Sequence, residues 1–276
     1  MNYKIVSDSA SNLFSLPGSS FSFVPLTIHC EEREFSDTPR LDLDDMLQTL
    51  KTTTKHSSTS CPNVQDWLDA FGEAETVYAV TITGNLSGSY AAAMQARSLF
   101  LQEHPKARVH IFNTLSAGPE MELILEKLAA LQAAGIEFEK TVEEVERYLQ
   151  KTHLVFCLQS LHNLARNGRV HPAKAKIAGI LGIRVVGKAS EEGTLQPLHN
   201  CRGGAKSLDT LFTVMKEHGF CGGKVRIAHC RNQADAETLR QKILSFAKDC
   251  DVQIRSTTAL CSFYAEEGGL LVGFEG

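Results

Sequence analysis

The chain predicts an α/β protein in two parts: a mostly parallel α/β sandwich over residues 1–152 and an α+β domain over residues 153–276. Three observations carry this. Apolar runs alternate with helical stretches as far as Leu149, the pattern of a parallel sheet covered by helices on both faces. Near residue 152 the pattern changes to hairpins mixed with helices. No low-complexity linker separates the halves, so they are expected to pack tightly and enclose a cleft. With 276 residues, 43% hydrophobic and 22% charged, the composition supports a substantial core.

Taken in order, Lys4-Ile-Val-Ser reads as a first strand ending in a polar tip, Asp8 to Ser11. Phe21 to His29 reads as one second strand. Asp37 to Asp42 is turn-rich, and Leu43 to Leu50 is a short helix with acidic residues in its first turn, as the helix dipole favours. Lys51 to Ser60 reads as a Thr/Ser-rich loop leading to Pro62, which is expected at the first position of a helix continuing through Phe71. Thr76-Val-Tyr-Ala-Val reads as a buried strand. It runs through Thr81-Ile-Thr-Gly-Asn-Leu-Ser-Gly-Ser-Tyr90 into a helix with Ser87 as candidate N-cap. Arg108 to Asn113 is another strand with a polar tip, Thr114 to Gly118. Glu120 to Ala134 is a helix stopped at Gly135. Thr141 and Glu144 form a capping-box pattern for the next helix.

In the second part, His153 to Leu158 reads as a strand, Ser160 to Asn167 and Ala173 to Ile180 as helices, and Gly182 to Ala189 as a strand turning at Glu192-Gly193 into a return strand to Asn200. Gly203 to His218 is helical, Lys224 to His229 a strand and Ala234 to Phe246 a helix. Val252 to Arg255 and Leu270 to Phe274 are expected to close the sheet.

Several function classes fall away. A net charge of −4, with no long basic run or interleaved aromatics, argues against nucleic-acid binding. Apolar runs are too short to span a bilayer, and the N-terminal residues lack signal-peptide features, so a cytoplasmic location is expected. The eight cysteines and ten histidines are scattered without ligand spacing, so no metal is expected. No G-x-x-x-x-G-K-[ST] loop is present.

The hydroxyl-rich turns are the informative feature. At the carboxyl ends of parallel strands, a turn that opens a helix offers N–H groups and positive potential to an anion. The Ser87 turn and the Thr59-Ser60 stretch both fit, with Thr83 adding a donor. In isolation, an ordinary capped helix start is the better reading of each.

Six strings together resemble the DegV family, fatty-acid-binding proteins that include the FakB subunit of bacterial fatty acid kinase. Ser7-Asp-Ser-Ala is similar to the family's opening strand tip, Thr59-Ser-Cys-Pro to T-S-Q-P with Cys61 for Gln, and Leu86-Ser-Gly-Ser-Tyr to L-S-G-T-Y with Ser89 for Thr. Asn113-Thr-Leu-Ser-Ala resembles D-T-x-S-A, Leu161 to Arg169 resembles L-x-x-L-x-x-G-G-R, and Cys201-Arg-Gly-Gly-Ala-Lys resembles R-G-x-x-K-A. Order and spacing hold over essentially the whole chain.

The resemblance implies a long-chain fatty acid such as palmitate between two domains, its carboxylate held by Thr59, Ser60, Ser87 and Gly88. Thr83, Ser116, Arg169, Arg202, His229, Ser262 and Phe263 are candidate cleft residues. It implies no cofactor, no catalytic residue and no metal. It also implies a separate kinase partner of the FakA kind, and a lipid ligand admits transient contact with a membrane surface. One departure stands out. The family's terminal G-T-H-T-G-P-G-like loop reads Cys261 to Gly268 here, with Phe263 in the His position. A phenyl ring donates no hydrogen bond, so Ser262, Tyr264 or His229 is expected to substitute, and Glu266-Glu267 would repel an anion if they faced it. Two other readings compete: a serine hydrolase using Ser87 with a base such as His229 and an acid such as Asp235, although G-x-S-x-G is missing, and a fold relative that serves as an interaction protein without lipid.

Overall fold

A computed structural model describes residues 3–171 and 182–276. The expected helix Ala173–Ile180 lies outside the described residues. Four parallel strands, β1 (Tyr3–Asp8), β2 (Phe21–Val24), β6 (Thr76–Thr81) and β7 (Arg108–Asn113), form a first sheet in the order β2-β1-β6-β7. The residues of β6 are all buried, as expected for a strand covered on both faces. Alternation sorts the side chains: Ile5, Tyr78 and Val80 face one layer, Val6, Val77 and Ala79 the other. Helices α2 (Val64–Phe71) and α3 (Ser89–Glu103) cover the second face through Trp67, Phe71, Ala93 and Ala96. Helices α4 (Pro119–Ala133) and α5 (Phe138–Leu149) cover the first through Met121, Ile124, Leu128 and Val145.

A small antiparallel sheet, order β4-β3-β5, joins β3 (Thr27–Cys30), β4 (Arg33–Ser36) and β5 (Ser57–Ser60), with α1 (Leu43–Thr52) beside it. The single strand expected over Phe21–His29 is therefore two. Pro25 lacks the N–H a continuing ladder needs, and the chain changes sheets there, with Leu26 N donating to Ser9 Oγ at 3.0 Å. Nor is Lys51–Ser60 a loop throughout. Ser57–Ser60 pairs antiparallel with β3, Thr59 opposite Ile28. Pairing rather than intrinsic propensity makes this run a strand.

The third sheet is mixed: β10-β9-β8-β13-β11-β12. It comprises β8 (Thr152–Leu158), β9 (Ile183–Ala189), β10 (Leu195–Arg202), β11 (Lys224–His229), β12 (Asp251–Ser256) and β13 (Leu270–Glu275). Helices α7 (Gly204–Glu217) and α8 (Gln233–Phe246) pack on one face. Short helices α6 (His162–Arg166) and α9 (Ala259–Ala265) lie in the connections. The α/β class holds, but β13 is a central strand between β8 and β11, not an edge that closes the sheet.

Helix α4 contacts both large sheets. A Cβ at Gly273 would lie 2.4 Å from Glu120 N, so only glycine lets the start of α4 lie directly on β13.

Three helix starts differ from expectation. Helix α2 begins at Val64, after Pro62, with Asn63 and Asp66 forming a reciprocal capping box. Helix α5 begins at Phe138, whose ring stacks on Tyr78 at 5.3 Å, so Thr141 is a buried interior residue rather than a cap. Gly88, not Ser87, is the N-cap of α3, without a side-chain cap bond.

Candidate ligand-binding site

Strand β1 connects leftward to β2, whereas β6 and β7 lie on its right, so the order reverses between β1 and β6. Crevices beyond the carboxyl ends of strands at such a point are the usual ligand sites of open α/β sheets. A cavity of about 290 Å³ lies here. Leu26, Ile82, Leu86 and Ala117 line it from the parallel-sheet side. Leu154, Phe156, Leu158, Leu195 and Leu271 line it from the mixed sheet, and Leu260, Cys261 and Ala265 from α9. Among the described residues, its polar lining comprises Thr59, Ser60, Cys61, Ser87, Gly88, Arg169 and Tyr264.

These polar groups are neighbours. The Thr59 hydroxyl meets Tyr264 OH at 2.7 Å. A Cβ on Gly88 would lie 3.0 Å from Cys61 Sγ, so the Thr59–Cys61 segment and the Ser87 turn pack directly together. Ser60 Oγ meets His29 Nε2 at 2.8 Å on the exposed side of β3. Ser87 Oγ accepts from Ser89 N at 3.2 Å, taking one of the N–H groups that α3 leaves unsatisfied. Arg169 Nε donates to Leu86 O at 3.1 Å, and Nη1 donates to Asn167 O, which ties the loop after α6 to the Ser87 turn.

Behind this layer lie buried carboxyls. Asp8, at the tip of β1, accepts from Ser89 Oγ at 2.6 Å, Ile82 N at 2.9 Å and Ala10 N at 3.3 Å, so it fixes the turn and the helix start together. Burial pushes its pKa up to about 7, against the opposing effect of those hydrogen bonds. Asp37 accepts from Ala259 N at 2.8 Å, Leu260 N at 3.1 Å and Thr258 Oγ1 at 3.0 Å, capping α9 from a distant loop. Burial raises it too. Glu120 accepts from Thr152 Oγ1 at 2.8 Å and from Ser116 Oγ, and burial pushes it up to about 7.

These shifts make a prediction. Asp8 and Glu120 have ordinary values of 3.8 and 4.5 and folded values of about 7, so between those limits the folded chain holds protons that the unfolded chain releases. Their effect on stability is most favourable below that window and is lost as pH rises through it. The urea midpoint should be higher at about pH 5.5 than at about pH 8, and Glu120→Gln should flatten the dependence.

The other candidate residues lie elsewhere. Thr83 and Ser116 are scaffold: Thr83 N donates to Ser116 O at 2.8 Å, and Thr83 O accepts from Leu86 N and Ser87 N. Arg202 is exposed at the end of β10 and does not line the cavity. Ser262 is buried against Thr257 at 2.6 Å. Phe263 is fully buried with Ile28, Phe35 and Met46, on the side of α9 away from the cavity. The region expected as a loop is helical, and its period explains this. Leu260, Cys261, Tyr264 and Ala265 share one face, Ala259 and Phe263 another. Glu266 accepts from Ser160 Oγ and Asn163 N, and Glu267 pairs with Lys51 at 3.6 Å. Neither lines the cavity, so the repulsion anticipated from them has no basis.

The hydrolase arrangement is not assembled. His229 is hydrogen-bonded to Gln233 at 2.6 Å and Asp235 to Arg184 at 2.5 Å, and neither lines the cavity with Ser87. Among the described residues, no three His, Cys, Asp or Glu gather as a metal site, and no helix is long and apolar enough to cross a membrane.

Sequence reasoning missed Asp8 and Asp37 as individual organisers and named Tyr264 only as one of three substitutes. Helical periodicity over residues 259–265 would have separated Tyr264 from Phe263.

Fold and cavity place the chain among α/β proteins that enclose an apolar pocket between a parallel and a mixed sheet, with hydroxyls gathered on one side. A family model described as "Uncharacterised protein, DegV family" matches residues 2–275, and the chain belongs to the DegV family. A DegV domain-containing protein of Streptococcus pyogenes serotype M1 is 42% identical over 279 residues, spanning 100% of each chain. The structure of the Streptococcus pneumoniae Fatty Acid Kinase (Fak) B3 protein, loaded with linoleic acid, is 40% identical with a TM-score of 0.98 and is covered over 100% of this chain and 99% of that one. A DegV family protein from Eubacterium eligens loaded with heptadecanoic acid is 41% identical with a TM-score of 0.97 and 99% of each chain covered.

Proposed function

We propose that this protein binds a long-chain fatty acid and presents its carboxylate to a separate kinase, which converts it to an acyl phosphate. The supporting observation is the cavity itself, with aliphatic and aromatic walls and its hydroxyls clustered at Thr59, Ser60, Ser87 and Tyr264. Two relatives of about 40% identity whose structures hold fatty acids support the same ligand class. On this reading residues 1–152 supply the hydroxyl turns and residues 153–276 complete the tunnel. Each buried CH₂ contributes roughly 0.8 kcal/mol, so a tail of about sixteen carbons gains on the order of 10 kcal/mol before ordering costs. The tail supplies affinity and the hydroxyls fix orientation.

Thr59 and Ser87 donate to the carboxylate, and Tyr264 does the work expected of the family histidine. Arg169 donates to Leu86 O and Asn167 O and adds positive potential. Ser87 acts as a donor, not a nucleophile, because among the described residues neither His229 nor Asp235 lines the cavity beside it. The protein performs no chemistry of its own on this reading. Ser60, Cys61 and Gly88 are exposed, so a kinase active site can reach the head group there.

Lipid extraction of protein purified without added fatty acid, followed by mass spectrometry, tests the ligand class. Acyl chains at near-stoichiometric yield are expected. Recovery of none, together with no binding of added palmitate or linoleate, would overturn it. Tyr264→Phe removes only the hydroxyl that meets Thr59. It should weaken fatty-acid binding about tenfold, as for one charge-assisted hydrogen bond, in a fluorescence displacement assay.

A further inference from the structure

We infer that a second cleft, polar and separate from the lipid cavity, binds a small ligand bearing a phosphate-like anionic group. It has a volume of about 430 Å³ and lies between strands β8 and β9 of the mixed sheet and the segment from the end of β7 to α5. The lipid cavity and this cleft share Leu154 as a wall but are lined by different chemistry.

One wall carries Lys188 from β9, His153 from β8 and His218 from the C-cap of α7. His218 Nδ1 meets Val214 O at 2.8 Å, which fixes the ring in the tautomer whose Nε2 accepts from Lys188 Nζ, also at 2.8 Å. His153 lies edge-on to His218, ring centroids 6.1 Å apart. Among the described residues, Lys188 has no carboxylate partner and His153 no hydrogen bond. An ammonium held by an imidazole, beside a second imidazole, is a donor set without its anion.

The carboxylates lining the cleft do not supply that anion. Glu146 is engaged with His110 at 3.1 Å, and Glu120 is buried between Ser116 and Thr152. Glu191 is exposed at the β9–β10 turn. Burial foremost, then the neighbouring His218 and Lys188, hold His153 below its ordinary pKa. Across the cleft, Asn113, Thr114 and Gln150 offer uncharged polar groups for the remainder of a ligand.

Histidine ring signals in an NMR titration of the intact protein test this. Of the ten histidines, His153 and His218 should shift saturably with inorganic phosphate, while His29, on the small sheet, stays put. Lys188→Gln should weaken the response about tenfold, consistent with loss of one charge-assisted contact, and Lys188→Arg should restore most of it. A parallel arm with glycerol phosphate separates the sources. Tighter binding than inorganic phosphate identifies a phosphomonoester read by the facing wall, and weaker binding identifies the free ion. Absence of saturable shifts with both probes overturns the inference. So does an affinity that Lys188→Gln leaves unchanged, or shifts spread equally over all exposed histidines. A folded Lys188→Arg variant that binds neither probe also counts against it.

Discussion

Replacing Thr59 by Val and Ser87 by Ala together is expected to weaken fatty-acid binding by about a hundredfold or more. On the proposed reading each hydroxyl gives the carboxylate a charge-assisted hydrogen bond, worth roughly 1.5–3 kcal/mol when a charged partner would otherwise go unsatisfied. Every 1.4 kcal/mol or so is a factor of about ten. The two losses should not add perfectly, because both hydroxyls serve one head group. The fold should survive. Ser87 Oγ accepts only from Ser89 N, and Thr59 Oγ1 contacts only Tyr264 among the described residues. Losing both should cost about 1–2 kcal/mol of stability. Competition with a fluorescent fatty acid gives the affinity and a urea titration gives the stability. Unchanged affinity in a folded double variant would return the Ser87 turn to an ordinary helix start.

The second large effect lies away from the cavity. Arg226 on β11 is 1% exposed. Its Nε and Nη2 donate to Glu126 at 2.7 and 2.8 Å, and Nη2 also donates to Asp251 at 2.7 Å. Lys224 Nζ reaches the same Glu126 at 2.8 Å, and Arg255 Nε reaches Glu122 at 2.7 Å. Glu122 and Glu126 belong to α4, so this network fastens that helix to the mixed sheet. Burial alone would lower the Arg226 guanidinium, but hydrogen bonds to Glu126 and Asp251 outweigh it and raise the pKa. Arg226→Met leaves Glu126 partly compensated and Glu122 and Glu126 close together. Breaking such a pair from one side costs about 3–5 kcal/mol, which chemical unfolding would register as a large drop in midpoint. Combining it with Glu126→Gln should cost less than the two changes summed, because the uncompensated charge is then removed as well. A single-variant loss below about 1 kcal/mol would place this network with exposed ion pairs of little net value.

Much of the fold was legible because buried parallel strands leave a strong trace. Thr76–Thr81 reads as an apolar run for the physical reason that both its faces are covered. Alternation of such runs with amphipathic stretches then identifies the α/β class. Features depending on distant partners left little trace. Strand β5 is four hydroxyl residues, Ser57 to Ser60, whose extended form comes from pairing with β3. The break at Pro25 was visible in principle, since proline cannot donate to a ladder, but the alternation on either side concealed it. Helix α9 was obscured by resemblance to a loop, and its N-terminus is capped by Asp37, some 220 residues earlier (sequence separation 222 at Ala259).

The site divides in the same way. The hydroxyl turns at Thr59-Ser60 and Ser87-Gly88 could be named from local chemistry, because a polar turn at a strand end or helix start is a recognisable anion-binding pattern. Their contact through Cys61 and Gly88 is a tertiary fact. So is the approach of Tyr264 to Thr59 across 205 positions of sequence. Arg202 and Phe263 were reached by motif, and His229 and Ser262 as substitutes for the family histidine, rather than by geometry, and the fold directs each elsewhere.

The central claim is most directly tested by the electron density of a crystal grown with palmitate or linoleate. Elongated density is expected through the cavity lined by Leu154, Phe156 and Leu271. Its carboxylate should lie within hydrogen-bonding distance of Thr59 and Ser87, beside the Tyr264 hydroxyl. An empty cavity at saturating lipid, or a chain whose head group points away from these hydroxyls, would contradict it.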